Sequence, residues 1–151
     1  MDDAALMGAA LDEARAAGDA GEVPIGAVIA RGGQIIARGG NRTVRDNDAT
    51  THAEVVAIRD ASRALGSWRL EGCTLVVTVE PCAMCAGALV LARVDRVVFG
   101  AWDDKAGMAG SVADLLRHPR LNHRPQVLSG VREEECGMLV REFFRSRRAV
   151  R

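Results

Sequence analysis

Several residue types are scarce in this sequence, and the scarcity narrows the kinds of protein it can be. The 151 residues include no tyrosine, two tryptophans and three phenylalanines, so aromatic surfaces for stacking on nucleic-acid bases are few. The formal net charge is zero, so no strong global field draws the chain to nucleic acid or to a membrane. Lys105 is the only lysine, and the other basic residues are arginines, which bind phosphate in a fork geometry.

The sequence also lacks a long apolar run. The longest uncharged stretch, residues 81–92, is too short to cross a bilayer. Met1 is followed by Asp2 and Asp3, whereas a secretory signal begins with basic residues. We therefore expect a cytoplasmic protein with no membrane contact. Its four cysteines are then expected to be reduced, as metal ligands or core residues.

The composition that remains is that of a soluble globular protein, with 48% hydrophobic and 26% charged residues, and it predicts a single domain over residues 1–151. Hydrophobic periodicity and glycine or proline breaks predict five helices and five strands. The predicted helices are 2–17, 53–65, 82–92, 111–116 and 133–147, and the predicted strands are 25–31, 34–38, 74–79, 96–100 and 126–128.

The order of these elements predicts the fold class. Gly32-Gly33 joins the first two strands as an antiparallel hairpin. In the second half, strands alternate with helices, which favours parallel strands with crossover connections. The sequence therefore predicts an α/β fold, a three-layer α/β/α sandwich with a central mixed five-stranded sheet.

Two short motifs point to chemistry, and each lies where a loop enters a predicted helix. Cys82 and Cys85 are one helical turn apart, so they face the same way and can bind one metal ion. A helix N-terminus also favours the thiolate form that a ligand requires. His52 would be a third ligand, leaving open the fourth tetrahedral position, as in catalytic zinc sites. Glu54 is close by and can take a proton from metal-bound water and pass it on.

Other interpretations of these motifs stay open. A lone Cys-x-x-Cys is also typical of a redox dithiol or of two core cysteines, and His-x-Glu occurs by chance. A closed structural zinc site would need a fourth ligand, and four side chains are available for it: Cys73, Cys136, His118 and His123. The two motifs together favour hydrolysis, in which water attacks an electrophilic carbon and a protonated group leaves.

The same motifs resemble the signature of zinc-dependent nucleobase deaminases, in the cytidine and deoxycytidylate deaminase superfamily. The resemblance covers nearly the whole chain and is to the bacterial tRNA-specific adenosine deaminases within that superfamily. It rests on segments that follow the family order: 22–28, 40–42, 52–54, 80–88, 96–101, 118–119, 122–123 and 143–145. Thr43 and Trp102 depart from the family pattern, and both are expected at the rim of the site.

The resemblance implies a cytidine deaminase-like fold and a reaction, the hydrolytic deamination of the wobble adenosine of a tRNA anticodon to inosine. It implies one zinc ion per subunit of a homodimer that binds the tRNA anticodon stem-loop. His52, Cys82 and Cys85 would hold the zinc. Glu54 would move a proton from the activated water to the base and then to the departing ammonia.

The resemblance also implies substrate contacts. Asn41 would form a hydrogen bond with the flipped base, and Val23 and Val79 would line its pocket. Asp103 would lie beside the sugar, where a contact to the ribose 2′-OH would favour RNA over DNA. His123 would reach toward the RNA and the partner subunit, whereas His118 is expected to have a structural role.

The last predicted helix is basic. Arg141, Arg145 and Arg148 recur on one face, with Arg147 and Arg151 nearby. This face is either a solvated helix surface or a contact with tRNA phosphates, and the resemblance favours the phosphates.

Phe144 lies off the apolar stripe of the last helix, which is formed by Cys136, Leu139, Val140 and Phe143. It is either a partly buried edge residue or a surface on which an anticodon-loop base stacks.

Two rival functions remain at this point. A deaminase of free guanine, cytosine or cytidine shares the zinc motif but does not need the basic last helix. A non-catalytic RNA-binding protein would hold a structural zinc ion through four protein ligands.

Overall fold

A computed structural model describes residues 1–149, which form four helices and five strands. The helices are α1 (Asp3–Asp19), α2 (Ala53–Leu65), α3 (Ala83–Leu91) and α4 (Glu133–Ala149). The strands are β1 (Gly26–Arg31), β2 (Gln34–Gly40), β3 (Cys73–Val79), β4 (Arg96–Ala101) and β5 (Gln126–Leu128). Across these described residues, no helix has both the length and the apolar character needed to span a bilayer.

The five strands form one mixed sheet in the order β2-β1-β3-β4-β5. β1 is antiparallel to both of its neighbours, β2 and β3, whereas β3, β4 and β5 are parallel. The sequence-based prediction of an antiparallel hairpin followed by parallel strands is therefore confirmed.

The two faces of the sheet are covered by different helices. Successive side chains of a strand point to opposite faces, and in β3 Leu75 and Val77 pack in the core beneath α2 and α3, whereas Val76 packs in the core beneath α1 and α4. The sheet thus lies between two helical layers. This confirms the predicted α/β/α sandwich.

α2 lies unusually close to the edge strand β2. A Cβ atom at Gly39 would lie 2.5 Å from the carbonyl oxygen of Ala53 and 2.8 Å from the nitrogen of Ala57. Only glycine leaves room for the helix backbone at this point. Gly39 therefore determines how closely the first turn of α2, which carries Glu54, approaches the sheet.

The prediction of a short helix at 111–116 is wrong. This segment consists of turns and bends. The N–H of Leu115, which a helix would bond to the carbonyl of Ser111, donates instead to the carbonyl of Met108 (2.9 Å), and Asp114 pairs with Ala109 in an isolated antiparallel bridge. Ser111, at the start of the segment, donates to the Glu80 carboxylate (3.0 Å). The buried carboxylate of Glu80 is a tertiary acceptor that the local sequence does not reveal.

Candidate active site

The N-termini of α2 and α3 meet at one end of the molecule. His52 and Cys82 are the N-cap residues of these helices, both with extended backbone, and neither side chain caps its own helix. The two side chains instead face each other, with 3.6 Å between His52 Nδ1 and Cys82 Sγ. Cys85, in the first turn of α3, brings its Sγ to 3.5 Å from the same nitrogen.

These distances fit a tetrahedral zinc ion. Zinc bonds of about 2.3 Å to sulfur and about 2.0–2.1 Å to nitrogen, at a tetrahedral angle, separate the two ligand atoms by about 3.6 Å. Both observed nitrogen–sulfur distances agree with that value. An imidazole nitrogen can form one ordinary hydrogen bond, so its position between two sulfurs is better explained by a shared cation.

The candidate fourth ligands all lie elsewhere. Among residues 1–149, the only group of three or more potential metal ligands consists of His52, Cys82 and Cys85, whose ligand atoms lie within 4.8 Å of one another. His118 accepts a hydrogen bond from the main chain of Arg120, and His123 Nε2 lies 2.6 Å from the carbonyl oxygen of Val94. Cys73 and Cys136 are buried free thiols at the start of β3 and in α4. A set of three protein ligands is typical of a catalytic site.

The electrostatics of the three side chains suit a cation. A hydrogen bond from Cys85 is the main cause that lowers the pKa of the Cys82 thiol to about 3, with further support from His52 against the opposing effect of burial. The same hydrogen bond raises the pKa of Cys85 well above its usual range. The bond to Cys82 also raises the pKa of His52. Two adjacent thiols thus share one negative charge, and a bound divalent ion would allow both to ionise.

Glu54 lies in the first turn of α2 with only 4% of its surface exposed. Burial raises the pKa of its carboxyl to about 7, and the negative charge at Cys82 contributes to the rise. A carboxyl group in such surroundings is suited to exchanging protons near neutral pH.

A cleft of about 280 Å³ opens over this group of side chains. This volume is just below the usual range of about 300–1,000 Å³ for pockets that bind drug-sized ligands, so it suits a ligand no larger than about one nucleoside. The cleft is lined by four of the predicted substrate contacts: Val23, Asn41, Val79 and Asp103. The structure thus brings them together with His52, Glu54 and Cys82.

Asn41, which lines the cleft, has an unsatisfied side-chain acceptor. The residue is 6% exposed, and its side-chain oxygen has no hydrogen-bond donor within the described part of the chain. Buried polar atoms of this kind are rare unless a ligand or water satisfies them. The position of Asn41 therefore fits a contact with a bound base.

One side of the cleft is formed by loop 41–48, which is tied to the buried Glu22. The Glu22 carboxylate accepts the main-chain N–H groups of Val44 (3.0 Å) and Arg45 (2.8 Å) and the Nε–H of Arg45 (3.2 Å). Arg45 in turn donates to the main-chain oxygen of Asn41 (2.8 Å). Burial alone would raise the pKa of Glu22, but these hydrogen bonds and the charge of Arg45 lower it below its ordinary value.

The remaining predicted contacts lie outside the cleft lining. They are His123, Phe144, Arg145 and Arg148. The last three are exposed side chains of α4. Arg147, beside them, donates to the carbonyl of Gly21 (3.2 Å), which attaches the end of α4 to the segment that leads into the cleft.

Two further arginines were predicted on or near the basic face, Arg141 and Arg151. Arg141 pairs with Glu134 at 3.2 Å, so part of its charge is compensated within α4. Arg151 lies outside the described residues.

Sequence reasoning gave no function to Glu22 and Glu80, yet both carboxylates hold loops that line the cleft. The hydrogen-bond donors of each carboxylate are more than 20 residues away in sequence, so the spacing of residues gives no signal of the contact. A buried acid beside an apolar strand is the one feature that points to such a role. Ile25, Thr43 and Ala106 also line the cleft.

Comparisons with known proteins agree with this geometry. Residues 1–101 match the family model of the cytidine and deoxycytidylate deaminase zinc-binding region. A tRNA-specific adenosine deaminase of Bacillus subtilis (strain 168) is 52% identical over 146 residues, which cover 97% of this chain and 91% of that protein.

Two solved structures resemble the fold to different degrees. One, from a study of A-to-I editing by tRNA:A34 deaminases at the wobble position of transfer RNA, has a TM-score of 0.86 and 48% identity over 89% of this chain and 97% of that one. The guanine deaminase from Nitrosomonas europaea has a TM-score of 0.80 but only 27% identity, over 93% of this chain and 83% of that one. The chain therefore belongs to the cytidine and deoxycytidylate deaminase family, and within it to the tRNA-specific adenosine deaminases.

Proposed function

We propose that the chain hydrolyses the wobble adenosine of a tRNA anticodon to inosine and releases ammonia. The observation that carries this proposal is the position of Glu54, a buried carboxyl in a nucleoside-sized cleft beside three potential metal ligands. The much closer sequence similarity to a tRNA deaminase than to a guanine deaminase supports tRNA as the substrate.

His52, Cys82 and Cys85 would hold one zinc ion per subunit. When bound, zinc would lower the pKa of a water molecule at its open coordination position and so supply the nucleophile near neutral pH. The nitrogen–sulfur distances of 3.5 and 3.6 Å support this assignment.

Glu54 would transfer the protons of the reaction. Its carboxylate takes one proton from the attacking water and delivers it to N1 of adenine, and it then takes the remaining proton from the C6 hydroxyl and passes it to the departing amino group. The oxygen of water becomes bonded to C6, the C6–N6 bond breaks and ammonia leaves. The burial of Glu54 supports this role because it keeps bulk water from competing for those protons.

The cleft residues would hold the flipped base and its sugar. Asn41 would form a hydrogen bond with the base, with Val23 and Val79 against the ring. Asp103 would contact the ribose 2′-OH.

A second group of residues would contact the rest of the anticodon stem-loop. Arg145 and Arg148 would bind phosphates, and Phe144 would stack on a loop base. His123 would contact RNA through Nδ1, since Nε2 faces Val94.

We also propose that residues 1–151 are one cytoplasmic domain that acts as a homodimer. The outer face of α3 supports dimerisation because it is apolar and at least partly exposed, and it consists of Ala83, Met84, Gly87, Ala88 and Leu91. We call these residues the α3 face. A helix face without a charged residue favours burial against a second copy.

The experiment that tests the proposed reaction is incubation of zinc-loaded protein with total tRNA, followed by mapping of inosine. We expect inosine at the wobble position. Turnover of free guanine or cytosine that equals turnover of the anticodon stem-loop would instead support a small-molecule deaminase. RNA binding without any inosine, at full zinc content, would support a non-catalytic RNA-binding protein.

Glu54→Gln tests the proton transfer. We expect inosine formation to fall by about 10²–10⁴-fold, the usual contribution of a general acid–base, while zinc content measured by atomic emission stays unchanged. Loss of zinc from this variant would make Glu54 a ligand. The matched control is Glu71→Gln, which removes an exposed carboxylate paired with Arg69 and should keep full activity.

A further inference from the structure

We propose that Glu80 is a positioning residue for sugar recognition. Its buried carboxylate holds loop 102–111 and thereby fixes Asp103 where it meets the ribose of the target nucleotide. The inference rests on the proposed function above and adds to it a residue that lines the cleft but whose carboxylate is occupied by hydrogen bonds from the loop.

The Glu80 carboxylate is filled with hydrogen bonds from one loop. Glu80 is 3% exposed and follows the last residue of β3. It accepts the main-chain N–H groups of Asp103 (3.0 Å), Ala109 (2.9 Å) and Ser111 (3.0 Å), and also the hydroxyl of Ser111. A carboxylate has about four acceptor sites, so these four donors use its whole capacity.

The loop closes around the carboxylate with no space to spare. A Cβ atom at Gly107 would lie 2.2 Å from the carboxyl carbon of Glu80 and 2.6 Å from the main-chain oxygen of Asp103. The N–H of Gly107 donates to that same oxygen at 2.9 Å. Any other residue at position 107 would therefore push the loop away from Glu80 or displace Asp103.

Asp103 is where the loop meets the cleft. Its backbone nitrogen is fixed by Glu80, and its Oδ1 accepts the main-chain N–H groups of Lys105 (3.1 Å) and Ala106 (3.2 Å). These bonds hold the carboxylate in one orientation and leave Oδ2 for a ligand in the cleft that Asp103 lines. A hydroxyl donor such as the ribose 2′-OH has the chemistry that this oxygen binds.

An alternative role for Glu80 would be to brace the metal ligands, since Cys82 is two residues further along the chain. The hydrogen bonds of the carboxylate argue against it. All of them go to residues 103–111, and within the described part of the chain none goes to the first turn of α3.

The test is Glu80→Gln, assayed on an RNA anticodon stem-loop and on the same RNA with a single 2′-deoxyadenosine at the target position. The glutamine amide has the shape of the carboxylate, but its NH₂ group places two hydrogens against N–H and O–H groups that need an acceptor. We expect KM for the all-RNA substrate to rise about tenfold while kcat changes less than about threefold, as for loss of one good hydrogen bond. The preference for the ribonucleotide over the deoxynucleotide, measured as a ratio of kcat/KM, should fall by about the same factor.

The outcomes separate the alternatives. Unchanged preference, or a fall in kcat with zinc loss, would overturn the proposal in favour of a structural role near the metal. Wild-type protein that forms no inosine would instead contradict the proposed function itself. Glu71→Gln, the same chemical change at an exposed position, should leave KM and the preference unchanged.

Two further variants keep the test decisive if Glu80→Gln does not fold. Ser111→Ala removes one donor from a half-buried residue and should lower the preference in the same direction by a few fold. Gly107→Ala leaves Glu80 intact but displaces the loop, and it should reproduce the higher KM. A preference equal to that of the wild type in both folded variants would overturn the proposal.

Discussion

At the scale of single residues, two buried carboxylates hold the loops that line the cleft. Glu22 and Glu80 each accept main-chain N–H groups from a loop that is distant in sequence. Such loops lie on the surface, so the hydrogen bonds to a fixed anion help to give them a defined conformation.

Glu22 predicts a pH dependence of stability. Because folding lowers its pKa below the ordinary value of 4.5, the folded state favours the ionised form. The stabilisation is therefore complete above that value and is lost as the pH falls through the lower folded-state pKa. We expect Glu22→Gln to lower the free energy of unfolding at pH 7 by about 2–4 kcal/mol, because it leaves buried donors and Arg45 without their acceptor.

The measurement is urea unfolding of the wild type and of Glu22→Gln from pH 7 down to pH 3. The difference between the two proteins should shrink as the pH falls below about 4.5. A difference that is constant across this range would contradict the prediction. Glu13→Gln is the control, since its ion pair with Arg38 is long (3.7 Å) and partly exposed and should contribute less than about 1 kcal/mol.

At the scale of elements, α4 combines contacts that attach it to the fold with the surface that we propose to bind RNA. Arg147 stacks on Phe143, with 4.7 Å from its guanidinium carbon to the ring centroid, and donates to Gly21. These contacts attach the helix end to the segment before the cleft. Arg145 and Arg148 point into solvent from the same end.

The double variant Arg145→Ala/Arg148→Ala should weaken binding of the anticodon stem-loop and lower its salt dependence. Two lost phosphate contacts reduce the slope of log K against log salt concentration by about 1–2. The measurement is fluorescence anisotropy of labelled RNA over a range of salt concentrations. Arg141→Ala should have a smaller effect because Arg141 is paired with Glu134. An equal effect would contradict the assignment of the phosphate contacts to Arg145 and Arg148.

The sequence predicted most elements because their signals are local. The Gly32-Gly33 hairpin, the helix at Ala53–Leu65 and the strand at Gln126–Leu128 are present within the predicted bounds or close to them. The helix at 111–116 was wrong because the carbonyl of Met108 accepts the N–H of Leu115, which a helix would bond to Ser111, and because Glu80, just after β3, holds the start of the segment. Local propensity cannot report an acceptor that only the tertiary structure supplies.

For the site as well, the residues with a local sequence signal were predictable and those defined by tertiary contacts were not. His52, Cys82 and Cys85 were predictable as a group because their chemistry depends on residue type and short spacing. Glu22 and Glu80 were not predictable as loop anchors, since a carboxylate can accept hydrogen bonds from the main-chain N–H groups of any residue type except proline. The contacts predicted for His123, Phe144, Arg145 and Arg148 stay predictions.

At the scale of the whole molecule, two of the three candidate metal ligands and the α3 face belong to one helix and its N-cap. Cys82 is the N-cap of α3, and the helix ends with Leu91, a side chain that is 70% exposed. A second copy on this face would bury the helix that carries two of the three ligands. Assembly and the integrity of the metal site are then expected to be linked.

Leu91→Glu should convert the proposed dimer to a monomer at micromolar concentration. The substitution would bury one unpaired carboxylate from each copy in an apolar contact, and the loss of hydration of these charges would destabilise the interface. The measurement is sedimentation equilibrium of both proteins. Trp68→Gln is the control because Trp68 is a 63% exposed apolar side chain outside the α3 face, and a monomeric wild type would contradict the assignment of this face.

The anchoring of the two loops by separate carboxylates has an evolutionary consequence. Glu22 holds residues 44 and 45, and Glu80 holds residues 103, 109 and 111, with no shared hydrogen bond between the two sets. The sequence of each loop can therefore change without disturbing the hydrogen bonds that hold the other loop. On the proposed function, substitutions in loop 102–111 change the contact with the sugar without altering the contact of Asn41 with the base. The specificities for sugar and base can therefore change separately, while the candidate metal ligands and Glu54 stay unchanged.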